Sequence, residues 1–462
     1  MPFEIGGLNE ACGLFGIWGH KDAAHMTYFG LHALQHRGQD GAGIVVKRDN
    51  ILTRHRGTGL AADAFSKEIL NELVGTAAIG HVRYAMSGIH KEDGYQPRLF
   101  HFEKSSLAIC HNGSLVNAQK LRHDLEEDGS IFQTSSDSET LAHLIRKNRQ
   151  SLLIDKLKAA LASIQGGFAF LLLTQKKMIA ARDPNGVRPL VIGKLGERYI
   201  IASETCAFDT VGAEYIRDVA PGEIVIIDDD GIKFDSFTQD VGLSVCSMEY
   251  VYFARPDSII QGVNVHSSRK KAGRLLAAES PTPSADIVVA VPESGVSAAI
   301  GYAEAIGIPY EMGLIKNRYA ARTFIAPSQE LREQGVKMKL SAVRAIVEGK
   351  SVVLVEDSIV RGTTTKLVVT LLKEAGAKEV HMKVVSPLLR HPCFYGVDIK
   401  SKRELIAHTY DTEGIRQTIG ADSLAFISEA GMAEAVGISV LCNTKGNGLC
   451  MSCFNGRYLH KM

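Results

Sequence analysis

Two kinds of apolar spacing divide the chain. From Cys12 to about Thr238 short apolar runs recur, among them Leu107 to Cys110, Ala169 to Thr174, Leu190 to Gly193 and Ile224 to Ile227. Helical periods lie between them at Ser138 to Ile145 and Leu152 to Ile164, and glycine turns are frequent. The pattern predicts an α+β domain of packed antiparallel sheets. From Asp286 onward the rhythm changes to strands alternating with helices. Ile287 to Val291 precedes Ser297 to Ala305, Val352 to Val355 precedes Lys366 to Ala375, and Val380 to Val385 makes a third strand. Alternation of this kind predicts a doubly wound parallel sheet. Arg322 to Lys350 fits neither rhythm. It carries Arg332, Lys337, Lys339 and Arg344 with little apolar periodicity, and is long for a connection, so it reads as a lid. No Pro- or Ser-rich linker marks the junction, which is placed near residue 240. The expected units are 1–11, 12–240 and 241–462.

Composition removes several classes of function. The 462 residues are 45% hydrophobic and 22% charged, as in ordinary globular protein, and the net charge of +1 leaves no basic excess for a nucleic-acid backbone. Ser267-Ser268-Arg269-Lys270-Lys271 reads as a solvated face. No apolar run approaches the roughly 18 residues of a membrane helix. Met1 to Ala11 holds Glu4 and Glu10 without a basic residue, unlike a secretory signal. A cytoplasmic location is expected, where the eight cysteines suit metal binding or catalysis better than disulfides.

The densest chemistry lies in Val352 to Thr365. A strand apolar on both faces ends in Glu356 and Asp357; Gly362 and the hydroxyls of Thr363, Thr364 and Thr365 then open a helix. Backbone N–H groups at that helix start suit a phosphate, and the carboxylates suit sugar hydroxyls or a divalent cation. Val291-Pro292-Glu293-Ser294-Gly295 likewise follows a strand and opens a helix, as a pyrophosphate loop would. The first run resembles the phosphoribosylpyrophosphate signature of type I phosphoribosyltransferases. The resemblance implies that Gly362 to Thr365 cradle a 5′-phosphate and that Ser294, Glu356 and Asp357 bind magnesium. Relatives often carry two aspartates where this chain has Glu356 and Asp357.

A second set occupies the first half. Cys12-Gly13-Leu14-Phe15-Gly16, His36-Arg37-Gly38-Gln39-Asp40, Gly80-His81-Val82-Arg83-Tyr84, Cys110-His111-Asn112-Gly113 and Thr134-Ser135-Ser136-Asp137 follow in that order. Together they resemble the glutaminase domain of amidotransferases with an N-terminal cysteine nucleophile. The two resemblances in one chain imply the glutamine phosphoribosylpyrophosphate amidotransferase family. They imply an α+β glutaminase sandwich followed by an α/β type I phosphoribosyltransferase domain, and the first committed step of purine synthesis.

Glutamine itself suggests the partners. A thiolate must attack its amide, and an α-amino group with a pKa of about 7.7–8.0 can be the base if Cys12 is the first residue. Cleavage between Ala11 and Cys12 is therefore expected. Arg83 is the candidate for the α-carboxylate, Asp137 for the α-ammonium, and Asn112 with the Gly113 amide for the oxyanion. His81 and His111 are expected to pack or hydrogen-bond. Cys450-Met451-Ser452-Cys453 with distant Cys246 and Cys393 could make a Cys₄ site, and spacing alone leaves zinc and iron–sulfur both open. One branch of the family carries a leader and a [4Fe–4S] cluster together, which implies a cluster on Cys246, Cys393, Cys450 and Cys453; Cys442 is the rival ligand. Cys110 and Cys206 read as core. The resemblance further implies allosteric inhibition by purine nucleotides, with Lys316-Asn317-Arg318-Tyr319 as a candidate contact, and a homotetramer.

Overall fold

Alternation along Gly13–Trp18 sets up the first two layers. Leu14 and Trp18 point into a core between two sheets, while Phe15 and Ile17 pack beneath the helix Ala23–Ala33. The same two-sided alternation runs through Ser106–Leu115. There Ala108 and Cys110 enter the inter-sheet core, and Leu107 and Ile109 meet the helices Asp137–Lys147 and Leu153–Ser163. Strands apolar on both faces need cover on both sides, and the result is helix, sheet, sheet, helix. The computed structural model describes residues 12–84, 94–103, 105–317, 339–399, 401–437 and 448–461. The segment 1–11, residues 322–338 of the expected lid, Arg318, Tyr319 and Cys442 lie outside the described residues.

The first sheet has seven strands with Gly13–Trp18 at its centre, antiparallel to Ala77–Arg83 on one side and Arg198–Ala202 on the other. The second has six, with Ser106–Leu115 between Arg98–His101 and Gly166–Thr174. Its last strand in sequence is Gly231–Ser236, and the next strand, Ser244–Cys246, belongs to a separate pair.

Downstream, four parallel strands stand in the order Ile287–Ala290, Ser351–Glu356, Glu379–Val384, Ser423–Phe426. Val352 to Val355 have no exposed surface. Each such side chain contributes roughly 1.5–3 kcal/mol by leaving water. Val352 and Leu354 face the helices Thr363–Glu374 and Thr412–Ile419, and Val353 and Val355 face Val265–Glu279 and Val296–Ile306. On the other edge of Ile287–Ala290, Tyr310 bridges in parallel to Val288. The chain thus steps outward to Tyr310 and returns to the opposite side at Ser351, which makes the gap between the first two strands a topological switch point. Open α/β sheets bind ligands at that place.

Two expectations need correction. Arg269 and Ser268 are buried rather than on a solvated face, because helix Val265–Glu279 turns them toward the domain interior. The end of the expected lid is core: Leu340–Ala342 pairs antiparallel with Leu314–Lys316, and Leu340 and Val347 are buried against the parallel sheet. Charged neighbours such as Lys339 and Arg344 hide this short apolar contribution from any periodicity reading. Among the described residues, no helix is long and apolar enough to cross a membrane.

Candidate active sites

Strand pairing brings the first set of residues to one end of the sandwich. Cys12 immediately precedes Gly13, which is opposite Val82, so Arg83 is its neighbour across the sheet. The facing sheet approaches here as well, since the His81 Nε2 atom lies 3.2 Å from the His111 carbonyl. Asn112 and Gly113 follow at once on that strand. Both histidines are pushed down to about 3 by burial, which keeps the rings neutral, as packing residues should be. Burial pushes the Cys12 thiol up, opposed by a backbone hydrogen bond from Tyr84 and by the cations Arg83, Arg37 and Arg188.

Asn112 is fully buried, and neither its amide oxygen nor its amide nitrogen has a hydrogen-bond partner among the described residues. A buried amide left so is costly unless something else completes it. Asp137 opens helix Asp137–Lys147, and its Oδ2 accepts from the Leu115 amide at 3.0 Å. Some of its surface remains open, but the surrounding protein still pushes its carboxyl up to about 6, chiefly by desolvation. It lines a cavity of about 800 Å³ together with Ser114, Arg122, Cys393 and Phe394. Arg83 is buried, with its guanidinium 5.6 Å from the Tyr95 ring centre.

The second set gathers at the switch point. Ser294 donates to Asp357 Oδ2, Ser358 donates to Asp357 Oδ1 at 2.5 Å, and Thr365 donates to Glu356 Oε2 at 2.9 Å. Glu356 is pushed up to about 8 by burial and then by Asp357; Asp357 is also raised by burial, against the pull of Ser294, Ser358 and Arg269. Gly362 has φ +73°, a backbone state that glycine adopts without strain, and it turns the chain into helix Thr363–Glu374. The Thr365 hydroxyl is committed to Glu356, so an anion at this helix start would meet its amide instead. Among the described residues, no three His, Cys, Asp or Glu side chains converge on one ion position. Two carboxylates beside a phosphate loop nevertheless suit magnesium, which takes much of its shell from water and substrate phosphates.

The cysteines form a third centre at the domain junction. Ser244–Cys246 pairs in parallel with Gly448–Cys450, which sets Cys246 directly opposite Cys450. The Arg390 and His391 amides both donate to the Cys453 carbonyl at 3.0 Å, which draws in the loop bearing Cys393. All four thiols are free. Burial raises Cys246 and Cys453 and pushes Cys450 up to about 11, with the neighbouring sulfurs adding to each rise. Tyr395 N–H donates to the Cys393 sulfur at 3.3 Å, and the Ser452 hydroxyl lies 3.4 Å from the Cys450 sulfur. Buried thiols raised in this way stay protonated and neutral in the free chain. Cys110 and Cys206 are buried in apolar clusters, as expected.

Residues 81–210 match the glutamine amidotransferase domain family, and residues 264–417 match the phosphoribosyl transferase domain family. The chain is 56% identical over 459 residues to the amidophosphoribosyltransferase of Bacillus subtilis, covering 99% of this chain and 96% of that one. It belongs to the amidophosphoribosyltransferase family. A Staphylococcus aureus (strain MRSA252) amidophosphoribosyltransferase is 52% identical over 458 residues, covering 99% and 92%. The solved Bacillus subtilis glutamine phosphoribosylpyrophosphate amidotransferase, complexed with ADP and GMP, superposes with a TM-score of 0.92 at 56% identity, covering 97% of this chain and 98% of that one. As a member of this family the chain is a transferase of purine biosynthesis. It moves ammonia from glutamine to phosphoribosylpyrophosphate and yields 5-phosphoribosylamine, glutamate and pyrophosphate.

Sequence reasoning missed a set of buried charges between the amidotransferase centres. Arg37 ion-pairs with Glu204 and Glu249, and Arg188 with Glu249; none of the four side chains has any exposure. Glu204 also accepts from the Ser258 hydroxyl at 2.7 Å and the Arg255 amide at 2.9 Å. Against the effect of burial, Glu249 and Glu204 raise the Arg37 pKa, and His36, Arg37 and Ser258 lower that of Glu204. Arg37 stood inside a quoted motif, but Glu249 lies 212 residues away from it, a separation that no local pattern can bridge.

Proposed function

We propose that each half-reaction uses the residues its motif suggests. Cys12, freed at its amine by removal of 1–11, is the nucleophile: the α-amine takes the thiol proton and the sulfur attacks the glutamine side-chain carbonyl. Asn112 and the Gly113 amide hold the resulting oxyanion. Ammonia leaves with the proton returned from the α-ammonium, and water then hydrolyses the thioester to glutamate. Arg83 holds the substrate carboxylate and Asp137 its ammonium. The observation that carries this reading is the buried Asn112 amide, without a hydrogen-bond partner among the described residues, on the strand that faces the one bearing Arg83.

In the second half, Gly362, Thr363, Thr364 and Thr365 receive the 5′-phosphate, and Ser294, Glu356 and Asp357 serve the ribose hydroxyls and magnesium. Magnesium held there would supply the charge that neutralises a departing pyrophosphate. Ammonia bonds to the ribose carbon as the bond to pyrophosphate breaks, the resulting ammonium gives up a proton to solvent to leave the amine, and the two carboxylates stabilise the positive sugar between. Four free thiols at the junction suit a [4Fe–4S] cluster on Cys246, Cys393, Cys450 and Cys453, whose cube spreads its ligands more widely than a single ion would; among the described residues no three of them converge on one ion position. Such a cluster would tie the chain together, since neither half-reaction moves electrons. The relative solved with ADP and GMP supports purine nucleotides as inhibitors, and a cytoplasmic homotetramer completes the proposal.

Glutamate release, with and without phosphoribosylpyrophosphate and alongside pyrophosphate release, tests the assignment. Sugar-dependent glutamate with matching pyrophosphate is expected. Glutamine use surviving in Cys12→Ala would remove Cys12 from its role. Intact mass should show a chain beginning at Cys12, and an anaerobic preparation should hold about four irons with broad visible absorbance. A mass retaining the first eleven residues, or a colourless zinc protein, would overturn the respective point.

A further inference from the structure

The Cys12 and four-cysteine regions are joined through the buried charges. Arg37 donates from Nε to the Cys12 carbonyl at 3.2 Å and grips Glu249 on both carboxylate oxygens, at 2.9 and 2.8 Å. Glu249 follows Cys246 by one turn of chain. On its far side Arg188 Nη1 lies 3.3 Å from Glu249 Oε1, and Arg188 Nε and Nη2 donate to the Tyr395 carbonyl at 2.9 and 2.7 Å. Tyr395 stands in the Cys393 loop, and the next residue, Gly396, packs on Gly113: a Cβ at Gly396 would meet the Gly113 Cα at 2.9 Å. One loop therefore braces both the nucleophile's strand, through three ion-paired side chains, and the glycine proposed for the oxyanion.

We infer that Arg188 and Glu249 are positioning residues for the glutamine half-reaction, a strut through which the order of the Cys393 to Gly396 loop sets the placement of Cys12 and Gly113. The guanidinium forks fix direction as well as distance. The strut side chains have no exposed surface, so a displaced loop strips Arg188 of the Tyr395 carbonyl and leaves it Glu249 alone, and the chain relaxes by shifting Glu249, Arg37 and the Cys12 carbonyl in turn. Neither side chain has exposed surface with which to reach a substrate. The inference rests on Cys12 being the nucleophile.

The test is the rate at which an electrophilic glutamine analogue labels Cys12, followed by intact mass on full-length holoprotein whose mass begins at Cys12. Glu249→Gln and Arg188→Lys should each slow labelling at least tenfold. Each should also lower glutamine-dependent synthesis at least tenfold more than ammonia-driven synthesis. A merely structural role would lower both activities together. Cys393→Ser should slow labelling too, and adding Glu249→Gln to it should cost less than a further twofold, since both break one strut. Unchanged labelling in a folded Arg188→Lys, or effects that multiply in full, would overturn the inference. Arg188→Lys keeps the buried charge and decides the matter if Glu249→Gln does not fold. An unsubstituted chain that resists labelling at Cys12 would instead overturn the nucleophile assignment.

Discussion

Replacing Gly396 by alanine tests the closeness of the cysteine loop to the glutaminase centre. Gly396 has φ +115°, a region that L side chains rarely adopt, so holding an alanine there costs on the order of 1–3 kcal/mol. The new Cβ would lie 2.9 Å from Gly113 Cα and 2.6 Å from Arg188 Nη2, where ordinary contact begins at 3.4 Å. The arginine end can swing, but Gly113 is backbone within a paired strand and must retreat by about 0.5 Å, the difference between 3.4 and 2.9 Å. Displacing an oxyanion donor costs roughly 10²–10³ in rate. A partial shift should therefore cost about a hundredfold, equivalent to about 2.7 kcal/mol of barrier. The assay is pyrophosphate release driven by glutamine and, separately, by ammonium salt. Glutamine-driven turnover should fall about a hundredfold while ammonia-driven turnover falls less than threefold. Equal losses in both, or none in either, would refute the reasoning.

Three further outcomes are expected. Burial holds the Asp137 carboxyl at about 6 against an ordinary 3.8, so its charge destabilises the glutamine-free fold as pH rises through that window. Asp137→Asn should thus raise unfolding free energy by on the order of 2–3 kcal/mol at pH 7.5 and by almost nothing near pH 3, while weakening glutamine binding; denaturant titrations at both pH values check this, and no gain at pH 7.5 would count against it. Glu356, raised to about 8, carries a proton at neutral pH in the free chain, so magnesium phosphoribosylpyrophosphate should displace it and bind more tightly up to about pH 8. Calorimetry at pH 7 in buffers of different ionisation enthalpy should detect the released proton; identical heats would contradict the assignment. Cys12→Ala should lose glutamine-driven synthesis and keep the ammonia-driven reaction, and loss of both would contradict two separate sites.

What could be read in advance was what local sequence controls. Val352 to Val355 are apolar on both faces, and they stand in the middle of the parallel sheet with Glu356 and Asp357 at its carboxyl end. Asn112 and Gly113, which resemble a hairpin turn in isolation, lie inside the strand Ser106–Leu115, where pairing with Gly166–Thr174 outweighs the turn preference. The switch point depends on a single bridge between Val288 and Tyr310, too short to leave a strand pattern. The contact between Gly396 and Gly113 was illegible for another reason: close approach of two backbones leaves no side chain to announce it. Arg269 shows the converse, a cation inside a basic run that is buried because its guanidinium donates to the carbonyls of Tyr250 and Ala254 at 2.6 and 2.8 Å.

The parallel pairing of Ser244–Cys246 with Gly448–Cys450 bears on how the molecule is made. Cys450 is 203 residues further along the chain than Ser247, whose hydroxyl donates to its carbonyl. Translation yields both large sheets before the second strand of this small pair exists. Each domain can therefore collapse around its own core while the joint between them stays open. Until the ribosome releases residues 448–453, Cys246 lacks its partner strand and the Cys393 loop lacks the Cys453 carbonyl that holds it. A stalled or clipped polypeptide would lack this closing pair, so the joint is the last part of the described fold to be completed.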